Sequence, residues 1–522
     1  MRGRAGERTE QGPAAAGLID SADVFRLPVE RRIGADDQAE SAMRGLTSIL
    51  AATLCALAAP VLAGPAAAPP GIYRSSFEWD TVEPRFGDPL NGFALPSGPT
   101  TNQLPWVLQQ LSETSTSTAD INAHFHPGFL AQTSATSLQN FFQTLRTTYP
   151  GAELIDVVSV TPVRIVVAIQ SPGETSPKGL LQLGADYTGS QLITYFSVGS
   201  FGNLQYAEDQ GLDLGQAADK FATLSGGPGL LVARVGLSGK CEAIEARNPT
   251  TPRATASIFK TWVLGGVADA VASGSAALND PIPLVASEIA PGGTINGENL
   301  GDPFSLLDMA ILMLGISDNT ATDHLHQWVG RETIESYIAA SGTAHPDLLL
   351  PLLSINEQFH LFFSFPLVTS QGYVNGSESF QRDFLDSQIV PLGPVTSYPY
   401  SNESLFISGS WQASPMDVCN NLAHMRTSTP AGDASALVDA ALGASAGQPG
   451  IRNAWDRVWY KGGNLRSGVN GDLVLTHAWL LERSGEAPYA LIAMSNNAGG
   501  NIDAYKVQSI TNRILQLMAA MP

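Results

Sequence analysis

The sequence holds three cysteines in 522 residues, too few for a scaffold built on disulfides. No Cys or His cluster stands at metal-ligand spacing, so neither a metal nor a cofactor is expected. Positive charge is scarce as well. Lys and Arg number 28 against 48 Asp and Glu, a net charge of −20, and no long basic run follows residue 44. That argues against nucleic acid or an anionic membrane as a partner held by a basic surface. Long apolar runs are nearly missing too. The uncharged stretch at 46–63 sits near the lower length for a membrane span. With 44% hydrophobic residues the chain reads as a soluble globular protein, and its length calls for two or three domains.

The amino terminus predicts the compartment. Residues 1–42 are polar and charged. From Met43 the chain reads Met43, Arg44, Gly45, then the uncharged run, ending Val61, Leu62, Ala63, Gly64. A positive start, an apolar middle and small residues at the end make a signal peptide. Residues 1–63 are therefore an upstream extension plus signal, with Met43 the expected start. After cleavage the protein is periplasmic or secreted, with no membrane attachment. A membrane anchor is the plain alternative. Cys55 follows Leu54 rather than the small residue a lipoprotein signal needs. Cys55 leaves with the signal, and Cys241 and Cys419 remain. They form a bond that an exported compartment permits, or they are two buried thiols; the sequence leaves both open.

Residues 64–100, rich in Pro, Gly and Ser, read as a linker with one docked segment around Phe77, Glu78 and Trp79. A first domain at 101–204 opens with helical patterns at 103–112, 118–126 and 135–147. Strand-like runs follow at 154–160, 164–170, 180–186 and 192–198, separated by turns. Helices followed by an antiparallel meander predict a small α+β cone. His124 and His126 invite a metal or catalytic reading, but they lie two apart and would point to different sides of a helix. They read as helix-end histidines. A second domain at 225–522 begins with strands at 230–237 and 241–247. Helical patterns fill most of 257–445, then strands return at 458–462, 473–482 and 489–495. A helix over 502–519 closes it. Early and late strands predict one antiparallel sheet flanking a helical middle.

Three motifs carry the chemistry. Ser257, Ile258, Phe259 and Lys260 put a hydroxyl and an amine one helical turn apart on one face. Apolar neighbours Ile258, Phe259, Trp262, Val263 and Leu264 would bury the lysine and make it a better base. Ser317, Asp318 and Asn319 follow 60 residues after Ser257, behind an apolar helix at 304–314. Asp318 reads as the cap of the next helix. Lys461, Gly462 and Gly463 end an apolar strand, and glycine there lets a ligand approach the strand edge.

Order and spacing resemble class A β-lactamases and related penicillin-recognising serine enzymes, over roughly 225–522. The resemblance implies an α/β β-lactamase/transpeptidase-like domain with a five-stranded antiparallel sheet. It implies Ser257 as nucleophile, Lys260 as general base and Ser317 as proton shuttle. It implies Asn319, Lys461, Gly462, Gly463 and Asn464 as substrate-binding residues, with the Ser257 and Asn464 N–H groups as the oxyanion hole. The first domain resembles the nuclear-transport-factor-2 or ketosteroid-isomerase type, a cystatin-like α+β fold. The whole arrangement, with the segment from His126 to Gln132, is similar to exported actinobacterial proteins and the esterase-like protein of the clavulanic acid cluster.

Two departures matter. Gly462 stands where the family has a threonine or serine, so a hydroxyl contact to a substrate carboxylate is missing. The family's deacylation glutamate, about three dozen residues past Ser317, projects onto Leu353. The nearest acid, Glu357, reads as a helix-start residue. An insertion at 365–410 is expected as a loop over the cleft. The reading is an exported serine hydrolase acting on a small molecule, a β-lactam or an ester, with esters favoured. The alternatives are a penicillin-recognising binding or sensor protein with little turnover, and a small-molecule binder working through its first domain.

Overall fold

A computed structural model of the chain describes residues 98–521, except 174–175, 177 and 201–204, together with 89–90 and 93–96. The signal run, most of the linker and the segment around Phe77 lie outside the described residues.

The first domain places α1 (Pro99–Ser112), α2 (Thr118–His124) and α3 (Ala135–Thr148) against a four-stranded antiparallel meander. Its strands are β1 (Glu153–Val160), β2 (Arg164–Gln170), β3 (Lys178–Ala185) and β4 (Ile193–Ser200). Ser117 and Ser134 cap α2 and α3 by accepting the Asp120 and Ser137 amides. Strand alternation sends Ile165, Val167 and Ile169 into a core with Leu104, Val107 and Phe142. Val166 turns to the opposite face with Val158 and Leu180. The histidines serve this scaffold. His124 stacks on Trp106 at 4.0 Å, and His126 caps the short helix Pro127–Leu130.

The second core is built from both ends of the remaining chain. In order come α4 (Leu214–Ala222), β5 (Gly227–Val235) and β6 (Cys241–Arg247). The helical part contains α5 (Lys260–Ala272), α6 (Leu306–Gly315), α7 (Asn319–Val329), α8 (Arg331–Ala340) and α9 (Ile355–Phe363). It continues with α10 (Leu367–Val374), α11 (Glu378–Phe384), α12 (Pro415–Ser428) and α13 (Asp433–Gly443). Then come β7 (Arg457–Ser467), β8 (Gly471–Glu482), β9 (Tyr489–Asn496) and α14 (Ala504–Ala519). The sheet runs β7-β8-β9-β5-β6, all antiparallel. It is covered on both faces, so β9 is buried along its whole length. Leu231 and Ala233 face the helical core, while Leu230 and Val232 face α4 and α14. Cys241 and Cys419 are joined by a disulfide between β6 and α12.

The insertion is not a loop. Its Ser, Pro and aromatic content conceals α10 and α11, which pack back on α8 and α9. Arg382 pairs with Glu335 at 2.7 Å, and Asn402 donates to the Leu361 and Phe365 carbonyls.

The two domains share a seam. Val160 N–H donates to Ala444 O at 2.9 Å, and Ala446 N–H to Val158 O at 2.8 Å. Val163 and Tyr187 of the first domain belong to the helical core of the second. The Tyr187 ring stacks on Phe304 at 4.6 Å and its hydroxyl donates to Asp308 at 2.7 Å.

Candidate active site

Ser257 lies in a single 3-10 turn, Ala256–Phe259, that feeds α5 at Lys260. The turn is held from three sides. Thr255 N–H donates to Trp411 O at 2.9 Å. The Trp411 ring stacks on Phe259 at 3.8 Å and 4°, and its Nε1 donates to Leu353 O at 2.9 Å. Thr476 Oγ1 donates to Thr255 O at 2.8 Å and to Gly463 O at 3.1 Å. Ala256 is held at φ +45°, a left-handed conformation that costs a residue with a Cβ about 1–3 kcal/mol. Gly463 is forced by proximity: a Cβ there would sit 2.5 Å from Ser257 N.

α6 delivers the second motif. Its residues 306–314 are buried all round, as a helix at the centre of a core must be. At Gly315 an added Cβ would meet Ala444 Cβ and Thr161 Cγ2, each at 2.8 Å. Ser317 follows with φ +59°. Asp318 caps α7, as expected, by accepting the Ala321 amide at 2.8 Å, and its other oxygen accepts Thr294 and Ile295.

Ser317 and Asn319 close on Lys260. Lys260 Nζ donates to Ser317 O at 2.6 Å, Ser317 Oγ at 3.2 Å and Asn319 Oδ1 at 2.7 Å. Asn319 Nδ2 donates to Pro291 O at 2.6 Å. Lys461 Nζ reaches the same Ser317 Oγ at 2.9 Å and Gly462 O at 2.6 Å. Burial drives the Lys260 amine down to about 7, against the opposing pull of Asp318 and Asp323. Burial and then the Lys260 charge push Lys461 well below its usual value.

Lys260 is not hydrogen-bonded to the Ser257 hydroxyl. Its three ammonium protons match three acceptors on the Ser317–Asn319 side, and that side wins. Lys461 is 2% exposed, and burial and then the Lys260 charge oppose its own charge. Glu357 stands at a helix start, in line with the sequence reading: it completes a capping box with Ser354 and pairs with Arg331 at 2.6 Å. Burial opposes its ionisation, yet Arg331 and His326 hold its carboxyl below the usual range. Leu353, at the projected glutamate position, is buried.

Trp411 and Thr476 were not legible as site residues. They reach the site through tertiary contact, and no local motif marks them. Among the described residues no cluster of three or more His, Cys, Asp or Glu could hold a metal ion, and no helix is long and apolar enough to cross a membrane. A 430 Å³ cavity lined by Gly226, Arg253, Gln412 and Asn496 lies beside the Ser257 turn but includes none of the motif residues.

An antiparallel five-stranded sheet closed by both ends of its domain, with a Ser, Lys, Ser, Lys constellation between sheet and helices, defines a β-lactamase/transpeptidase-like fold. Residues 239–364 match a beta-lactamase enzyme family, and residues 95–177 match the family described as ORF 12 gene product N-terminal. Among solved structures, a beta-lactamase from Sphaerobacter thermophilus is 19% identical, with 60% of this chain and 100% of that chain covered at TM-score 0.41. An ancestral class A beta-lactamase is 16% identical, over 58% of this chain and 100% of that one, at TM-score 0.39. PBP-A is 15% identical, over 59% and 97%, at TM-score 0.39. Likenesses this remote carry nothing about substrate or turnover. No curated protein matches the sequence.

Proposed function

We propose that this chain is an exported serine hydrolase that forms an acyl-enzyme on Ser257 and acts on small esters or β-lactams. The observation that carries the proposal is the chain Lys260, Ser317, Lys461, with Ser317 Oγ between two amines at 3.2 and 2.9 Å, beside the turn that holds Ser257. In the charged form Lys260 spends all three protons on the Ser317–Asn319 side. Loss of one proton frees a lone pair, and at an amine driven to about 7 that loss occurs near neutrality. Neutral Lys260 takes the Ser257 proton as Oγ attacks the carbonyl carbon. The oxyanion forms against the Ser257 N–H and the N–H of Asn464. With both lysines donating, Ser317 Oγ uses its two lone pairs, so its own proton is directed to the leaving group. Lys260 then returns a proton to Ser317. Asn319 anchors Lys260 and has one amide proton left for substrate, and Gly462 and Gly463 clear the strand edge.

Esters are the favoured class. Deacylation of a bulky penicilloyl group needs a base to place water, and Leu353 and Glu357 supply none. The same vacancy favours one second reading, a penicillin-recognising binding or sensor protein that acylates once. Export rests on the apolar run after Met43 and is supported by the Cys241–Cys419 bond, which suits an oxidising compartment. The first domain, helices against a four-stranded meander, is proposed as a nuclear-transport-factor-2-type unit that supports the site. The test is intact mass after exposure to a fluorophosphonate and to a penicillin. One adduct on Ser257, absent in Ser257→Ala, is expected. An adduct elsewhere, or one that survives Ser257→Ala, overturns the assignment.

A further inference from the structure

The 430 Å³ cavity beside the Ser257 turn falls within the size range of small-ligand pockets, about 300–1,000 Å³. Its walls are fixed by backbone. At Gly227 a Cβ would sit 3.1 Å from Asn496 O, so that strand end carries no side chain. Asn496 accepts Ala254 N–H at 2.8 Å and donates to Ala254 O at 3.2 Å, which ties two walls together. The residues that line the cavity include no Asp or Glu, in a chain with 48 of them and a net charge of −20. The charged residue in its lining is Arg253.

Arg253 is placed by a two-residue ladder in which Arg253 and Ala254 pair with Ala413 and Gln412. Its guanidinium is half-buried and donates only to carbonyls. Nε donates to Gly227 O at 3.1 Å, one terminal nitrogen to Pro252 O at 2.9 Å and the other to Pro228 O at 3.3 Å. Three of its five N–H groups are used, which leaves one on each terminal nitrogen. Carbonyl dipoles hold the group without cancelling its charge, and burial lowers its pKa. Two further donors lie in the wall. The amides of Ala498 and Gly499, successive in one turn, bond to no group among the described residues, and successive free N–H groups form anion-binding concavities. The rest of the lining is neutral. The Asn497 side chain has no hydrogen-bond partner among the described residues. Gln412 donates to Ser408 O at 3.2 Å and keeps its own carbonyl oxygen, and Pro252 and Ile407 are apolar.

We propose that this cavity is a second ligand site, separate from the Ser257 centre, for a small organic carboxylate with an amide beside it, the N-acyl amino acid class. The carboxylate takes the two remaining N–H groups of Arg253 in the paired geometry a guanidinium offers. The Ala498 and Gly499 amides add donors to the same charge. The ligand's amide meets Gln412 and Asn497, and its acyl group lies on Pro252 and Ile407. An inorganic ion would satisfy the donors but leave most of the 430 Å³ unfilled. The site stands without the Ser257 hydrolase reading, because binding is its readout.

Hippurate is the probe, and hippuramide, which carries a neutral amide in place of the carboxylate, is its control. Calorimetry should show saturable binding of hippurate, with hippuramide about tenfold weaker or more, the weight of a hydrogen bond to a charged group. A crystal soak should place the carboxylate between Arg253 and the turn at Ala498 and Gly499. Asn497→Asp adds a negative charge to the wall without removing a hydrogen bond, and it should lower hippurate affinity about tenfold or more. Arg253→Gln should do the same. That change also frees three carbonyls, so Asn497→Asp decides the matter if the Arg253 variant does not fold. Four results would each overturn the site: hippurate found only at Ser257; hippurate present at soaking concentration with no saturable binding in solution; hippuramide bound as tightly as hippurate; unchanged affinity in Asn497→Asp.

Discussion

Lys260 and Lys461 donate to the same oxygen, Ser317 Oγ, from 3.2 and 2.9 Å, although they stand on different elements 201 residues apart in sequence. Two amines on one hydroxyl cannot both carry charge cheaply in a buried site. Burial lowers the hold of both amines on their protons, and the Lys260 charge lowers that of Lys461 further.

The acylation rate of Ser257 should therefore rise with pH through about 7, the value to which burial drives Lys260, because the working form of the base is the neutral amine. Lys260→Ala should lower acylation by about 10²–10⁴, and Lys260→Arg should not restore it, since arginine keeps its proton. Stopped-flow acylation against pH checks both. A flat profile between pH 6 and 8, or wild-type acylation in Lys260→Ala, would sink the role.

Glu357 should matter for folding and not for turnover. Glu357→Gln breaks a mostly buried pair with Arg331, a loss of roughly 3 kcal/mol, visible as a lower Tm. Deacylation should be unchanged, with a penicilloyl adduct persisting for minutes while an acetyl group turns over faster. Burst kinetics with a penicillin and a p-nitrophenyl ester measure the two rates. Fast penicillin turnover that collapses in Glu357→Gln would make it the deacylation base.

The seam should carry a pH-dependent stability. Glu298 accepts Tyr187 N–H at 3.0 Å and the Thr188 hydroxyl at 3.1 Å, and burial, assisted by Asp186, raises its carboxyl from 4.5 to about 7. A carboxyl raised in the folded state contributes stability that is complete below 4.5 and lost as pH climbs through 7. Asp323, also raised to about 7, adds to the same decline. Glu298→Gln should shrink the fall in Tm between pH 4.5 and 8 without abolishing it. A Tm profile identical to wild type would rule Glu298 out.

Trp411→Ala should damage both fold and site. It removes a ring stacked on Phe259 and a hydrogen bond to Leu353 O, at about 3–5 kcal/mol. Because the Trp411 carbonyl holds the Thr255 amide, covalent labelling of Ser257 should slow at temperatures where the variant is still folded. Wild-type labelling in a destabilised variant would confine Trp411 to packing.

What the sequence made legible was local. The mostly apolar run of α6, the Asp318 cap and the turn-spaced Ser257 and Lys260 follow from periodicity and capping rules that act over a few residues. The sheet was legible too, since its apolar strands cluster at both ends of the domain. The Trp411 support was not, because it packs on Phe259 across 152 positions of intervening chain. Nor was the helical insertion, where Ser377 caps α11 by accepting Phe380 N–H inside a stretch whose composition reads as loop. The burial of Lys461 depends on how β7 meets the loop at Ser317, a tertiary fact that one strand does not announce.

The backbone bonds between Val158–Val160 and Ala444–Ala446 have a practical consequence. A recombinant fragment trimmed to the hydrolase-like half would expose those peptide groups, and it would lose Val163 and Tyr187 from its own interior. Gly315 would face water where Thr161 now packs, two residues before Ser317. The first domain is thus a wall of the second, and swapping it for another module would have to rebuild that wall before any effect on the candidate site could be read.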